Sequence, residues 1–209
     1  MKINKILTKQ EQEALTPEEV LKDIMRGNQR FTSEDFQARD HKAIKLSATG
    51  GQYPKAVVLS CVDSRVPVET VLDQGIGDIF VARVAGNFEN TDILGSMEYA
   101  CKVAGSKLVL VLGHESCGAV SAACDGIELG NITHLLSNIK PAVEATTTEG
   151  KRDSSNIDFV HDVVLKNVEL TIQRIREKSP ILKTMEELGD IKIVGGVYSL
   201  QTGKVELLS

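Results

Sequence analysis

With 209 residues, the chain is long enough for one well-filled core and too short for two ordinary domains of about 150 residues each. Its 42% hydrophobic and 25% charged residues are the balance of a folded protein and exclude wholesale disorder. A net charge of −5, with five phenylalanines, three tyrosines and no tryptophan, argues against nucleic acid as a partner, because phosphate needs a basic face and unstacked bases need aromatic platforms.

Residues 1–10 carry scattered charge and lack the apolar stretch of a secretory signal. The longest uninterrupted apolar run, 108–112, falls far short of the ~20 residues a membrane span needs. No membrane partner is expected, and a cytoplasmic location is the default expectation. Thr16-Pro17-Glu18-Glu19 reads as a helix start, with Thr16 and Glu19 forming a capping box and Pro17 losing nothing at the first helical position. Val20, Leu21 and Ile24 continue it to about Gly27. Residues 32–54 are polar, end in Gly50-Gly51 and Pro54, and read as a connecting arm with one short helix, lying on other structure such as a second subunit. Residues 1–54 are therefore an N-terminal helical arm and 55–209 an α/β core, within a single domain spanning 1–209.

The texture then changes. Residues 56–60, 79–82 and 108–112 are short, continuous, branched apolar runs, as expected of strands buried on both faces of a parallel sheet. Between the second and third, Ile93, Leu94, Met97 and Ala100 follow helical spacing. Helices are expected after Ser116, after Asn131, and over 157–177 through Val160, Val164, Val168, Ile172 and Ile175, with a polar loop at 146–156. Ser179-Pro180 caps a short helix that stops at Gly189. Residues 191–194 and 205–208 close the chain as two strand-like runs whose Gly203 suggests an antiparallel edge hairpin. The expected fold class is α/β, a mostly parallel central sheet flanked by helices.

Four cysteines, Cys61, Cys101, Cys117 and Cys124, are not a disulfide framework in a chain this long, and are core filler, redox groups or metal ligands. Cys61-Val-Asp63-Ser-Arg65 follows the first strand, and an extended backbone would put its thiol, carboxylate and guanidinium on one face. Taken alone, it also fits a packed thiol beside a solvated ion pair. His114-Glu-Ser-Cys117-Gly118 follows the third strand, with Ser116 as the expected helix N-cap and Cys117 in the first turn, where the positive helix end lowers a thiol pKa. Alone, it better fits a core thiol beside a hydrogen-bonded histidine. Jointly, both segments lie at the carboxyl ends of neighbouring parallel strands, where open α/β sheets bind ligands. Cys61, His114 and Cys117 then make three ligands with a fourth position open, the form of a catalytic zinc site.

Cys61-x-Asp63-x-Arg65 followed by His114-x-x-Cys117-Gly118 resembles the β-class carbonic anhydrases, and the likeness extends through Gly77-Asp-Ile-Phe80, Arg83-Val-Ala-Gly-Asn87, Gly95-Ser-Met-Glu-Tyr99 and Gly196-Val-Tyr198. The resemblance implies one Zn2+ per chain on Cys61, His114 and Cys117, and reversible hydration of carbon dioxide to bicarbonate by hydroxide formed on that zinc. It implies Asp63 and Arg65 as the catalytic dyad, with Asp63 as a fourth metal ligand in a closed state. Gln52, nine residues before Cys61, Phe80, Ala85 and Gly118 are the substrate-binding positions it implies, after the plant-like branch. A tyrosine that closes the pocket in plant members has no counterpart near 176–179. Val58 stands where another branch has the tryptophan of an inhibitory bicarbonate site, which is not carried over. A homodimer or a dimer-of-dimers tetramer is expected, with Gln52 and Phe80 serving a neighbour's site.

Two thiolates cancel the charge of zinc, so activity is expected to rise toward alkaline pH. Cys101 and Cys124 read as buried small hydrophobes, and His41, His134 and His161 have no ligand-spaced partner. Glu115 is either a support for the site or a solvated charge, and Arg83 and Asn87 brace the turn beside the pocket. Two other readings share the motif: a zinc hydrolase of another small cumulated substrate such as carbon disulfide, and a zinc-holding or redox-sensing protein without turnover. The absence of Gly-x-Gly-x-x-Gly after any expected strand weakens nucleotide binding.

Overall fold

Continuous apolar strands need cover on both sides, and this requirement organises the chain. In the computed structural model, which describes residues 2–208, β1 (Ala56–Ser60), β2 (Ile79–Arg83), β3 (Leu108–His114), β4 (Lys192–Tyr198) and β5 (Val205–Leu207) form one sheet in the order β2-β1-β3-β4-β5. The pairs β1–β2, β1–β3 and β3–β4 are parallel, and β5 closes the edge antiparallel to β4. Val57, Leu59, Val109, Val111 and Ile193 enter one core, whereas Ala56, Val58, Leu108, Leu110 and Leu112 enter the other.

The helices divide between these two cores. In the N-terminal part α1 (Lys9–Glu13), α2 (Pro17–Thr32), α3 (His41–Ser47) and α4 (Val68–Val71) are formed, and α2 and α4 cover the second core through Val20, Ile24, Val68 and Val71. The first core is covered by α5 (Thr91–Glu98), α6 (Gly118–Cys124), α7 (Gly130–Ser137), α8 (Lys140–Ala145), α9 (Ile157–Lys178) and α10 (Pro180–Glu187). α9 lies close to the sheet because two strand positions have no side chain. A Cβ on Gly113 would stand 2.7 Å, and one on Gly195 2.6 Å, from the methyls of Val168. None of these helices is long and apolar enough to cross a membrane.

Several elements differ from the sequence reading. α2 does not stop near Gly27 but runs to Thr32. Gly27 serves close approach instead, since a Cβ there would sit 1.8 Å from the Leu72 carbonyl oxygen. α1 was not expected, although Thr8 and Glu11 form a complete capping box. The helix after Asn90 ends in a π turn over Tyr99–Val103. The Thr16 box, the Ser179 cap and the β4–β5 pairing are as expected.

The arm at 32–54 is held by a buried charge. Asp73, 2% exposed, binds the Arg30 guanidinium, accepts from Arg39 Nη1 at 2.5 Å and accepts the Gln37 amide at 3.1 Å. Burial pushes its carboxyl up, but Arg39, Arg30 and the Gln37 amide outweigh that and hold it below the ordinary carboxylate value. A depressed carboxylate pKa stabilises the fold above the unfolded value of about 3.9, and that stabilisation is lost as pH falls through the folded value. Removing one partner of a buried ion pair leaves the others uncompensated, so Asp73→Ala should cost about 3–5 kcal/mol in urea unfolding at neutral pH, with the deficit shrinking on acidification below about pH 4.

Candidate metal centre

The in-register pairing of β1 and β3 sets Ser60 opposite Leu112, so that Cys61, one residue past β1, and His114, the last residue of β3, emerge at the same carboxyl end of the sheet. Cys117 follows one turn later. The ligand atoms of Cys61, His114 and Cys117, all buried, lie within 4.8 Å of one another, and they are the sole such group of three among the described residues. The sulfurs of Cys61 and Cys117 are 3.9 Å apart, against about 3.8 Å for two thiolates on a tetrahedral zinc with ~2.3 Å bonds.

His114 is prepared for a metal by its other ring nitrogen. Nδ1 lies 2.9 Å from the Glu115 carbonyl, which can only accept, so Nδ1 carries the proton and Nε2 offers a lone pair. That Nε2 is buried and has no hydrogen-bond partner. The thiols ionise unequally. The Cys117 S–H, with the Gly86 amide, draws Cys61 far below the usual thiol range, while the Cys61 sulfur and burial push Cys117 up. Two buried sulfurs at this distance can both be thiolates only with a cation between them, which is what the donor set suits.

Two local expectations are corrected. Ser116 is not the N-cap of α6: it has φ of 51°, and Cys117 itself occupies the cap position. The left-handed residue turns the chain back between the two ligands. Nor does the backbone stay extended from Cys61 to Arg65, because the Val66 amide bonds the Asp63 carbonyl and closes a turn. The turn brings Arg65 back onto Asp63, with Nε to Oδ1 at 3.0 Å, Nη2 to Oδ2 at 2.7 Å and the Arg65 amide to Oδ1 at 2.9 Å. Arg65 thereby pulls the Asp63 carboxyl down to about 2. Oδ2 stands 3.8 Å from His114 Nε2, which places the carboxylate beside the ligand cluster.

Surrounding groups hold the loop. Arg83 donates through Nε to the Cys61 carbonyl at 2.7 Å and through Nη2 to the Asp63 and Val66 carbonyls at 2.7 and 3.2 Å. Glu115 accepts from the Leu200 amide at 3.1 Å and so ties the ligand loop to the turn before β5. Ala85 precedes Gly86, whose amide donates to Cys61 Sγ at 3.3 Å, and Gly118 is exposed with open space where a Cβ would stand. Cys101 and Cys124 fall outside the cluster, their thiols pushed up by burial to about 12 and about 11.

Gln52 and Phe80 do not join the cluster within one chain. Phe80 lines a cavity of about 700 Å³ with Val57, Ile93 and Tyr99, whereas Gln52 lines a second, of about 610 Å³, with Tyr53, Tyr99 and Lys102. Tyr99 belongs to both, and its ring meets Phe80 edge-on at 6.2 Å between centroids. Sequence reading gave Tyr99 no role and sought a pocket tyrosine near 176–179. Its neighbour in space comes from a strand 19 residues upstream, a proximity no spacing rule contains.

A carbonic anhydrase family model matches residues 56–205. The chain is 35% identical over 191 residues to carbonic anhydrase 2 of Mycobacterium tuberculosis, covering 89% of this chain and 90% of that one. It is 35% identical over 185 residues to a carbonic anhydrase of Mycolicibacterium smegmatis, covering 88% and 89%. Among solved structures, a β-carbonic anhydrase of Aspergillus fumigatus superposes with a TM-score of 0.69 at 25% identity over 90% of this chain and 88% of that one. The tetrameric β-carbonic anhydrases of Sordaria macrospora share the fold, with a TM-score of 0.68 at 24% identity over 90% and 93%. The buried two-sulfur, one-imidazole cluster and these similarities converge, and the chain belongs to the β-class carbonic anhydrase family.

Proposed function

We propose that this enzyme carries out zinc-dependent, reversible hydration of carbon dioxide to bicarbonate and a proton, with one Zn2+ per chain held by Cys61, His114 and Cys117. The observation that carries the reading is the unpartnered His114 Nε2 facing two sulfurs 3.9 Å apart, with an ionised Asp63 alongside. When bound, zinc would supply a Lewis acid that makes hydroxide available from water, increasingly so toward alkaline pH.

The chain's own residues then orient and bind. Asp63, charged throughout the neutral range, accepts a hydrogen bond from the attacking solvent and fixes the direction of its lone pair. Arg65 grips both carboxylate oxygens, and its Nη2 also donates to the Ser116 carbonyl at 3.0 Å, so the orientation of Asp63 is referred to the loop that carries Cys117. Ala85 and Phe80 supply apolar wall for an uncharged gas, Gly118 leaves space, and Gln52 donates to the substrate oxygen as negative charge develops. Gln52 and Phe80 do so for a second copy of the chain, in a homodimer or a dimer-of-dimers tetramer. That each lines a cavity without any of the three cluster residues, and that the outer edge of β2 is unpaired, support that assignment. A cytoplasmic setting belongs to the same reading, since reducing conditions keep both ligand thiols free.

The deciding experiment is stopped-flow carbon dioxide hydration combined with metal analysis. About one zinc per chain is expected, with hydration lost on chelation and restored by zinc; zinc at that ratio without hydration would leave a metal-holding protein in its place. Asp63→Asn keeps the metal and should lose roughly 100-fold in kcat through misoriented solvent; undiminished turnover would remove Asp63 from the chemistry. Arg65→Ala frees the carboxylate to take the fourth zinc position. Zinc X-ray absorption should then show an added carboxylate in the variant, and an unchanged ligand shell would count against the latch.

A further inference from the structure

Cys61 Sγ accepts a backbone hydrogen bond from Gly86 at 3.3 Å, and that donor is itself held from the opposite wall of the core. Gly86 has φ of +80°, and a Cβ on it would lie 2.4 Å from Ile139 Cδ1, so a side chain there would be strained and would have to displace that methyl. Glycine is also the residue with the widest backbone freedom, so its amide direction must be fixed from outside. The Gly86 carbonyl accepts from Asn167 Nδ2 at 2.8 Å, in a wholly buried contact between the 84–87 turn and α9. Seven and eleven residues on, at Arg174 and Lys178, the same helix meets the turn's continuation at Glu89. Arg174 Nε donates to both Glu89 oxygens at 2.9 Å, and Lys178 Nζ to one of them at 2.8 Å.

We propose that Asn167 is a positioning residue for the Cys61 thiolate: by holding the Gly86 carbonyl it aims the Gly86 amide at the sulfur. The claim rests on Cys61 being a metal ligand. Asn167 is 1% exposed, and its Oδ1 is buried without a partner. Packing alone does not call for an amide: leucine has the same branched side-chain outline and no amide oxygen to desolvate. An N–H···S bond withdraws charge from a thiolate and fixes its lone pairs, and partners at this remove from a metal typically change its affinity about 10- to 100-fold. Asn167 touches neither substrate nor metal and acts only through the Gly86 backbone.

The test replaces zinc by cobalt(II) in the full-length protein and reads two quantities besides activity: the energy of the thiolate-to-cobalt charge-transfer band and the rate of cobalt loss to a chelator. Asn167→Leu and Asn167→Ala should both move the band to longer wavelength, because an unbonded sulfur holds its electrons less tightly. Both should release cobalt about 10-fold faster or more. Val163→Ala, a cavity in the same helix that leaves Asn167 in place, controls for lost stability and should leave the band unmoved. Band positions and release rates in the Asn167 variants that match those of Val163→Ala would overturn the proposal. Should the unaltered protein take up cobalt without any thiolate band, the metal reading of Cys61 fails with it.

Discussion

The parallel pairing of β1 with β3 is the constraint on which the site depends. Neither strand contributes a ligand from its interior. Cys61 lies one residue past β1 and His114 is the last residue of β3, so the register alone decides whether they meet. A slip of one residue would turn every apolar side chain of the strand to the wrong core. The alternation of Val57 and Leu59 against Ala56 and Val58 therefore fixes the ligand geometry as firmly as it fixes the fold. The hydrophobic effect, summed over two cores, sets a distance of a few ångströms between polar atoms that contribute little to either core.

Register sets the strands, but α9 sets what surrounds them. Gly113 and Gly195 let Val168 approach the sheet, and the same helix carries Asn167 to Gly86 and Arg174 and Lys178 to Glu89. One face of one helix thus packs against the strand that presents His114 and holds the turn that hydrogen-bonds Cys61. This is an economical arrangement for a site whose ligands come from segments more than fifty residues apart, because one rigid element refers both to a common frame.

The strands, the longer helices and the three residues whose donor atoms converge were legible in the sequence, because each is carried by a local pattern: a branched apolar run, a capping box, or a spacing between ligand types; the short α4 and α8, like α1, were not. What escaped depended on groups distant in the chain. Gly27 read as a stop, yet it is a contact, and only the Leu72 carbonyl opposite it says so. Ser116 had the chemistry of an N-cap, but Cys117 and His114 must face the same point, and the chain meets that demand with a left-handed residue between them. Tyr99 sat in an unremarkable helical run until the fold set its ring against Phe80. α1 is the exception, since its capping box is fully local and only its five-residue length hid it.

The dyad shows how exposure and precision combine. Arg65 has half its side chain in solvent, and an exposed ion pair by itself contributes on the order of 0–1 kcal/mol. Stability is therefore not what the Asp63–Arg65 contact provides. Two forked bonds and one backbone amide fix the plane of the carboxylate, and the tie from Arg65 to the Ser116 carbonyl refers that plane to the ligand loop. In the proposed zinc site, a carboxylate 3.8 Å from His114 Nε2 would be near enough to compete for the metal, and its orientation by Arg65 would keep it away. On the proposed zinc site, an interaction too weak to matter for folding would thus choose between two directions of one side chain, and that choice would separate an open coordination position from a closed one.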